Sequence, residues 1–174
     1  MTATNLTQWL AQFCEWHDGF KKGTLPADKA EPYMQSRREV CGVLLMGQRL
    51  TIEPDAGARR ALRVARAYPI EFGFPTGAVS SITHDISTTG LSAIVADSPS
   101  SGEVLSMRLK IGGGTVIRGR CQVVKIIPKQ GSTRMAVAFE GLPADAHERI
   151  ETIVCDVVVS ELASSLRPRR AVED

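Results

Sequence analysis

The sequence predicts a mainly β chain with flanking helices: a six-stranded antiparallel β-barrel, an N-terminal helical hairpin before it and a single helix after it. Three observations point there. Apolar residues recur every three or four positions up to about residue 55, then switch to short alternating runs. Those runs are separated by Gly, Pro and Ser, the pattern of a closed or nearly closed antiparallel sheet. After Pro143 the helical period returns. The expected organisation is therefore a helical module over 1–55, a barrel with its C-terminal helix over 56–166, and a tail over 167–174.

Leu6, Trp9, Leu10, Phe13, Trp16 and Phe20 form one face of a first helix. Asn5 or Thr7 is suited to cap its start and Gly23 to end it. Pro26-Ala27-Asp28 suits the first turn of a second helix, which carries Tyr33, Met34, Val40, Val43, Leu44 and Leu50. The pair reads as an antiparallel hairpin. Glu53-Pro54-Asp55-Ala56-Gly57 is a linker.

Six strands follow. The first is expected from Arg63 to Phe72, ending at Gly73, and the next two from Ala78 to Ile86 and from Leu91 to Ala96. In the fourth, Leu105, Met107, Leu109 and Ile111 alternate with Ser106, Arg108 and Lys110, as in a half-buried strand. Gly112-Gly113-Gly114 makes a turn, and strands from Val116 to Ile127 and Arg134 to Phe139 complete the set. Ile150, Ile153, Val154, Val157, Val158 and Leu162 give the last helix its apolar face, although its β-branched residues are not strong helix formers. Arg167-Pro168-Arg169-Arg170 reads as a solvated tail.

Composition narrows the function classes. The chain has 174 residues, of which 43% are hydrophobic and 23% charged, ordinary values for a folded globular protein. A net charge of +2 is too small for a general duplex-DNA or membrane-surface binder, so neither DNA nor membrane insertion is expected. No apolar run approaches the roughly 20 residues of a membrane span, and Met1–Gln12 has no secretory-signal pattern. Four cysteines at 14, 41, 121 and 155 form no CxxC or zinc spacing and read as free thiols of a cytoplasmic protein. No metal or cofactor is expected.

Two short segments carry chemistry. Arg59, Arg60, Arg63 and Arg66 fall within eight residues at the junction of linker and first strand. Alone they specify an anion patch or a solvated edge, but a guanidinium also forks onto guanine O6 and N7 or onto phosphate, and stacks on a purine. The second segment is Asp85-Ile86-Ser87-Thr88-Thr89-Gly90, between two apolar strands. Alone it is a turn, in which Asp and Ser bond locally and Gly accepts positive φ. Functionally, Asp accepts from guanine N1 and N2, Ser bonds phosphate or braces the turn, and Gly lets a ligand approach the backbone.

Together they read RxxxR (Arg59 to Arg63), 21 intervening residues, then DxSxxG. This arrangement resembles the PilZ domain family, bacterial receptors for cyclic di-GMP. Leu91 after the glycine, the alternation from Leu105 to Ile111, the Gly119-Arg120-Cys121-Gln122-Val123-Val124 strand and Val137-Ala138-Phe139-Glu140 before a helix extend the resemblance over about Ala58 to Ser165. It implies a six-stranded barrel and non-enzymatic reception of cyclic di-GMP. Arg59 and Arg63 would grip guanine and phosphate, with Arg60 in support. Asp85, Ser87 and Gly90 would form the barrel side of the site, and Ser92 would line it. It also implies a protein partner in motility, exopolysaccharide or biofilm control. The expected mechanism is ligand-driven ordering of the linker with rearrangement of the N-terminal helices. A homodimer is left open.

Rival readings rest on fewer residues. A barrel that has given up the nucleotide would act as a protein-interaction module through its helices, against the intact motifs. His84-Asp85-Ser87 invites a hydrolase, but strand alternation is expected to send His84 and Asp85 to opposite faces, and no base is positioned by adjacency alone. His17 and His147 have no metal spacing. Gly112-Gly113-Gly114 lacks a P-loop lysine.

Overall fold

A computed structural model describes residues 3–50, 60–96 and 99–165. Contacts divide the chain into two compact units, Met1–Gly57 with Cys155–Asp174, and Ala58–Val154.

In the helical unit, α1 spans Ala3–Lys22 and α2 spans Ala27–Leu50. Helix α1 starts before Asn5 and Thr7, so both lie inside its first turns rather than at the expected N-cap position, and Ala3 already tolerates the helix well. Its end is as expected. Gly23 adopts φ 68°, Thr24 N–H donates to Gly19 O at 2.8 Å and Gly23 N–H to Phe20 O at 3.1 Å, the paired bonds of a Schellman ending. Leu10, Phe13, Tyr33 and Cys155 form the core, with Trp9, Trp16, Phe20, Val159 and Leu162 packed against it. Phe13 and Phe20 both place their rings beside Tyr33, at 5.9 and 5.1 Å. Arg37 is buried, its guanidinium 5.8 Å from the Phe20 ring.

The helical unit also holds a polar chain that runs from the buried Tyr33 and His17 out to the half-exposed Asp156 and Lys21. Asp156 accepts from His17 Nε2 at 3.1 Å, and Lys21 Nζ binds both Asp156 oxygens at 2.7 Å. With the carboxylate fixing the proton on Nε2, His17 Nδ1 accepts from Tyr33 O–H at 2.8 Å. Burial holds the His17 pKa below its usual value, opposed by the Asp156 bond and charge.

The barrel unit contains β1 (Val64–Ala65), β2 (Pro69–Phe74), β3 (Gly77–Ser87), β4 (Gly90–Val95), β5 (Val104–Lys110), a 3₁₀ turn at Gly112–Gly114, β6 (Val116–Lys129) and β7 (Ser132–Glu140). Six strands pair antiparallel in the order β3-β2-β5-β6-β7-β4, and β4 pairs back onto β3, closing the barrel. Inward residues alternate along the strands: Ile70 and Phe72, Leu91, Ala93 and Val95, Leu105, Met107 and Leu109, Met135 and Val137 are all buried. Helix α3 spans Ala144–Ser165; it buries Ala146, Ile150 and Val154 before the division between units.

One strand expected as continuous is broken. The stretch from Arg63 to Phe72 becomes β1 and β2, separated at Arg66–Tyr68. Thr83 causes the interruption: its hydroxyl donates to Arg66 O at 2.6 Å and accepts from Tyr68 N–H at 2.9 Å, while its own N–H donates to Tyr68 O. Pro69, which has no N–H, starts the second piece. Both pieces still pair with β3, β2 through its first half and β1 at Ile86 and Asp85.

Candidate functional site

Two local features aim Asp85. The register between β3 and β4 slips between Thr83 and Asp85, leaving His84 as the extra residue of a β-bulge. β1 then pairs Ala65 with Asp85 and Val64 with Ile86. Leu62 and Val64 are buried, so Arg63 between them points outward, toward Asp85.

The result is a shared carboxylate. Arg63 Nη1 donates to Asp85 Oδ1 at 3.2 Å. Ser92 Oγ donates to Oδ2 at 2.7 Å, and Arg134 Nη2 to the same oxygen at 2.8 Å. Arg134 also reaches Ser92 Oγ at 3.3 Å and His84 Nδ1 at 3.1 Å. The Asp85 side chain is 14% exposed, against 33% for Arg63 and 28% for Arg134, so the acid sits deeper than its partners. Burial alone raises the Asp85 pKa. The Ser92 hydrogen bond and the two guanidinium charges outweigh it and hold the carboxyl below its usual value. Asp85 is therefore an ionised acceptor ringed by cations.

His84 does not point away from Asp85 as strand alternation implied. Its Nδ1 lies 3.5 Å from Asp85 Oδ2, because the bulge interrupts the two-residue alternation at that position. Its neighbour toward solvent is Arg134, which is no nucleophile, and Ser87 is turned elsewhere.

Ser87 is fully buried, and its Oγ donates to Gly90 O at 3.0 Å and accepts from Thr89 N–H at 3.4 Å. The serine thus braces the two-residue turn Thr88–Thr89. Gly90 does not adopt positive φ; it is a strand residue of β4 opposite Ala138. Its reason is steric, since a Cβ there would run into the Val137 carbonyl oxygen. Gly90, Ser92, Ala136 and Ala138 share one face across β4 and β7, opposite the core residues Leu91, Ala93, Met135 and Val137. Small side chains keep that face low beside Asp85.

Of the arginines, Arg63 is in the cluster and Arg60 is exposed near it in sequence. Arg59 lies outside the described residues. Arg134 was not among the expected site residues. Its only sequence signal is that it is the one charged residue in a row of small ones, Arg134, Ala136 and Ala138, and the β4–β7 pairing that brings it to Ser92 joins positions about 40 residues apart.

The arrangement offers an ionised acceptor for paired N–H donors, a partly exposed guanidinium for an anion or purine, and a flat small-residue face beside them. No helix among the described residues is long and apolar enough to cross a membrane.

The family model for the PilZ domain matches residues 58–155. Among solved structures, the PilZ domain with c-di-GMP of YcgR from Escherichia coli aligns with a TM-score of 0.53 at 13% identity, covering 64% of this chain and 100% of that one. The K. pneumonia MrkH–c-di-GMP complex aligns at 0.56 and 17% identity, covering 63% and 56%. The Bacillus subtilis inhibitor of motility MotI/DgrA aligns at 0.51 and 18%, covering 62% and 52%. The match thus spans about half the length of the latter two chains. No curated protein sequence matches the chain. A closed six-stranded barrel carrying the RxxxR and DxSxxG segments, together with a family match over more than half its length, makes this chain a member of the PilZ domain family.

Proposed function

We propose that this protein is a non-enzymatic receptor for cyclic di-GMP. The observation that carries the reading is the Arg63–Asp85 pair, which joins the two sequence motifs in one cluster on the barrel. Guanine presents N1–H and N2–H as donors and O6 and N7 as acceptors. Asp85 matches the first pair and an arginine fork the second. Arg59 and Arg60, adjoining Arg63 in sequence, add charge for the phosphates. Gly90, Ser92 and the two alanines of β7 leave room for a ring to lie against the strands, while Ser87 keeps the turn in shape.

Ligand binding fixes the arginine-bearing segment and, through it, rearranges the N-terminal helices to present a surface to a protein partner. Two structural neighbours with this barrel, YcgR and MrkH, are described with c-di-GMP, and a third, MotI/DgrA, as an inhibitor of motility. The last description supports a role in motility control; exopolysaccharide or biofilm control and a cytoplasmic location rest on the family resemblance alone. Thermal unfolding with and without ligand tests the first step. Cyclic di-GMP at about a hundred times its Kd stabilises a receptor by about 2.7 kcal/mol. An unchanged melting temperature at millimolar ligand removes the reading in favour of a barrel used for protein contacts alone.

A further inference from the structure

The Asp85 carboxylate is held from two sides by arginines that are not equivalent. Arg63 makes the longer bond, 3.2 Å to Oδ1, and is the more exposed; it lies beside Arg60 and the arginine segment. Arg134 makes the shorter bond, 2.8 Å to Oδ2, from the interior of the β4–β7 ladder, where it is paired with Ile94. Arg134 also donates to Ser92 Oγ, which itself donates to Oδ2, so the three groups form a closed ring anchored on three strands, β3, β4 and β7. One cation precedes the two-residue strand β1; the other lies on β7, within the sheet.

We propose that Arg134 is a positioning residue of the ligand site, keeping the Asp85 carboxylate aimed while Arg63 transfers from Oδ1 to the ligand. The inference rests on the cyclic di-GMP reading and adds a residue that neither motif contains. Its physical need is clear. A carboxylate this buried that lost its only cation would be driven toward the neutral form, and a protonated Asp85 cannot accept from both guanine donors. The charged and titratable groups facing Asp85 are Arg63 before β1, His84 on β3 and Arg134 on β7, with Ser92 as the neutral donor. With Arg63 engaged elsewhere, Arg134 supplies the fixed positive charge.

The test is the affinity for cyclic di-GMP as a function of pH, from about 4 to 8, for the full chain and for Arg134→Ala, Arg134→Gln and Arg134→Lys. The Asp85 carboxyl is titrated in parallel by carbon NMR without ligand. Arg134→Ala and Arg134→Gln are expected to weaken binding about tenfold near neutrality. In both, the acid loss of binding and the Asp85 titration move to higher pH, and Arg134→Lys recovers part of each change. Glutamine keeps a hydrogen-bond donor, so a shift shared with alanine identifies the charge as the cause. Circular dichroism verifies folding, and the lysine and glutamine variants carry the test if alanine does not fold. A wild type that binds while the folded Arg134 variants keep its affinity and its acid midpoint overturns this proposal alone. A wild type that does not bind at any pH overturns the receptor reading and this proposal with it.

Discussion

Arg63 Nη1 lies 3.2 Å from Asp85 Oδ1 across 22 positions of sequence, bridged by the two-residue strand β1. That pair turns two motifs, each uninformative alone, into a single cluster. It also makes Asp85 the most connected side chain of the site, and substitutions there should be felt twice.

Asp85→Ala leaves Arg63 and Arg134 facing each other without their shared counter-charge. The partners are partly exposed, so the expected stability loss is about 1–2 kcal/mol rather than the larger cost of a fully buried pair. Chemical denaturation followed by circular dichroism measures it. A fully neutral substitution would mean that the cluster contributes nothing to the fold.

Asp85 also sets an acid limb. Its folded pKa is depressed below the unfolded value, so its contribution is complete above the unfolded pKa of about 3.9 and is lost as pH falls through the folded value. Melting curves of wild type and Asp85→Asn should therefore differ most above pH 5 and converge in stronger acid. A constant gap down to the acid end of the titration contradicts the assignment.

Gly90→Ala places a methyl against the Val137 carbonyl oxygen, at the end of the β4–β7 ladder where β4 begins. Backbone has little room to give, and overpacking of this kind costs about 1–3 kcal/mol. The variant should melt lower, and its ligand affinity should fall because Ser92 sits two residues along the same strand. Wild-type stability would show that the two strands part easily there.

Both tryptophans, Trp9 and Trp16, lie in α1, so intrinsic tryptophan fluorescence reports the helical unit alone. His17 is buried and its pKa is lowered, chiefly by burial. The unfolded chain takes up its proton near pH 6.5, before the native state does, so the native state loses stability as pH falls below about 6.5 and the loss levels off under the native pKa. Fluorescence-detected denaturation should give a lower midpoint at pH 5 than at pH 7.5. His17→Gln should flatten that difference while lowering stability at both pH values, by about 1–3 kcal/mol, through the lost Tyr33 and Asp156 bonds.

Much of this architecture is legible in the residues. The helical spacing of Trp9, Phe13, Trp16 and Phe20, the alternation from Leu105 to Leu109 and the two motifs were enough for the helices, the barrel and the family resemblance. What escaped depends on pairing between distant strands. Thr83 breaks the first strand through bonds to Arg66 and Tyr68, which no local pattern announces. The bulge at His84 overrides alternation and sets that ring beside Asp85. Gly90 looks like a positive-φ turn residue, but its requirement is the neighbouring carbonyl of Val137 on β7. Arg134 reaches Asp85 only because β7 lies next to β4.

Calorimetric titration of cyclic di-GMP into the wild-type chain, Arg63→Ala and Asp85→Ala tests the central claim most directly. Saturable binding by the wild type, weakened at least tenfold in each variant while both remain folded, is the predicted result. Each lost charge-assisted contact is worth about 1.5–3 kcal/mol, which sets that scale. Wild-type binding that survives both substitutions, or no heat of binding at high micromolar ligand, would contradict the account.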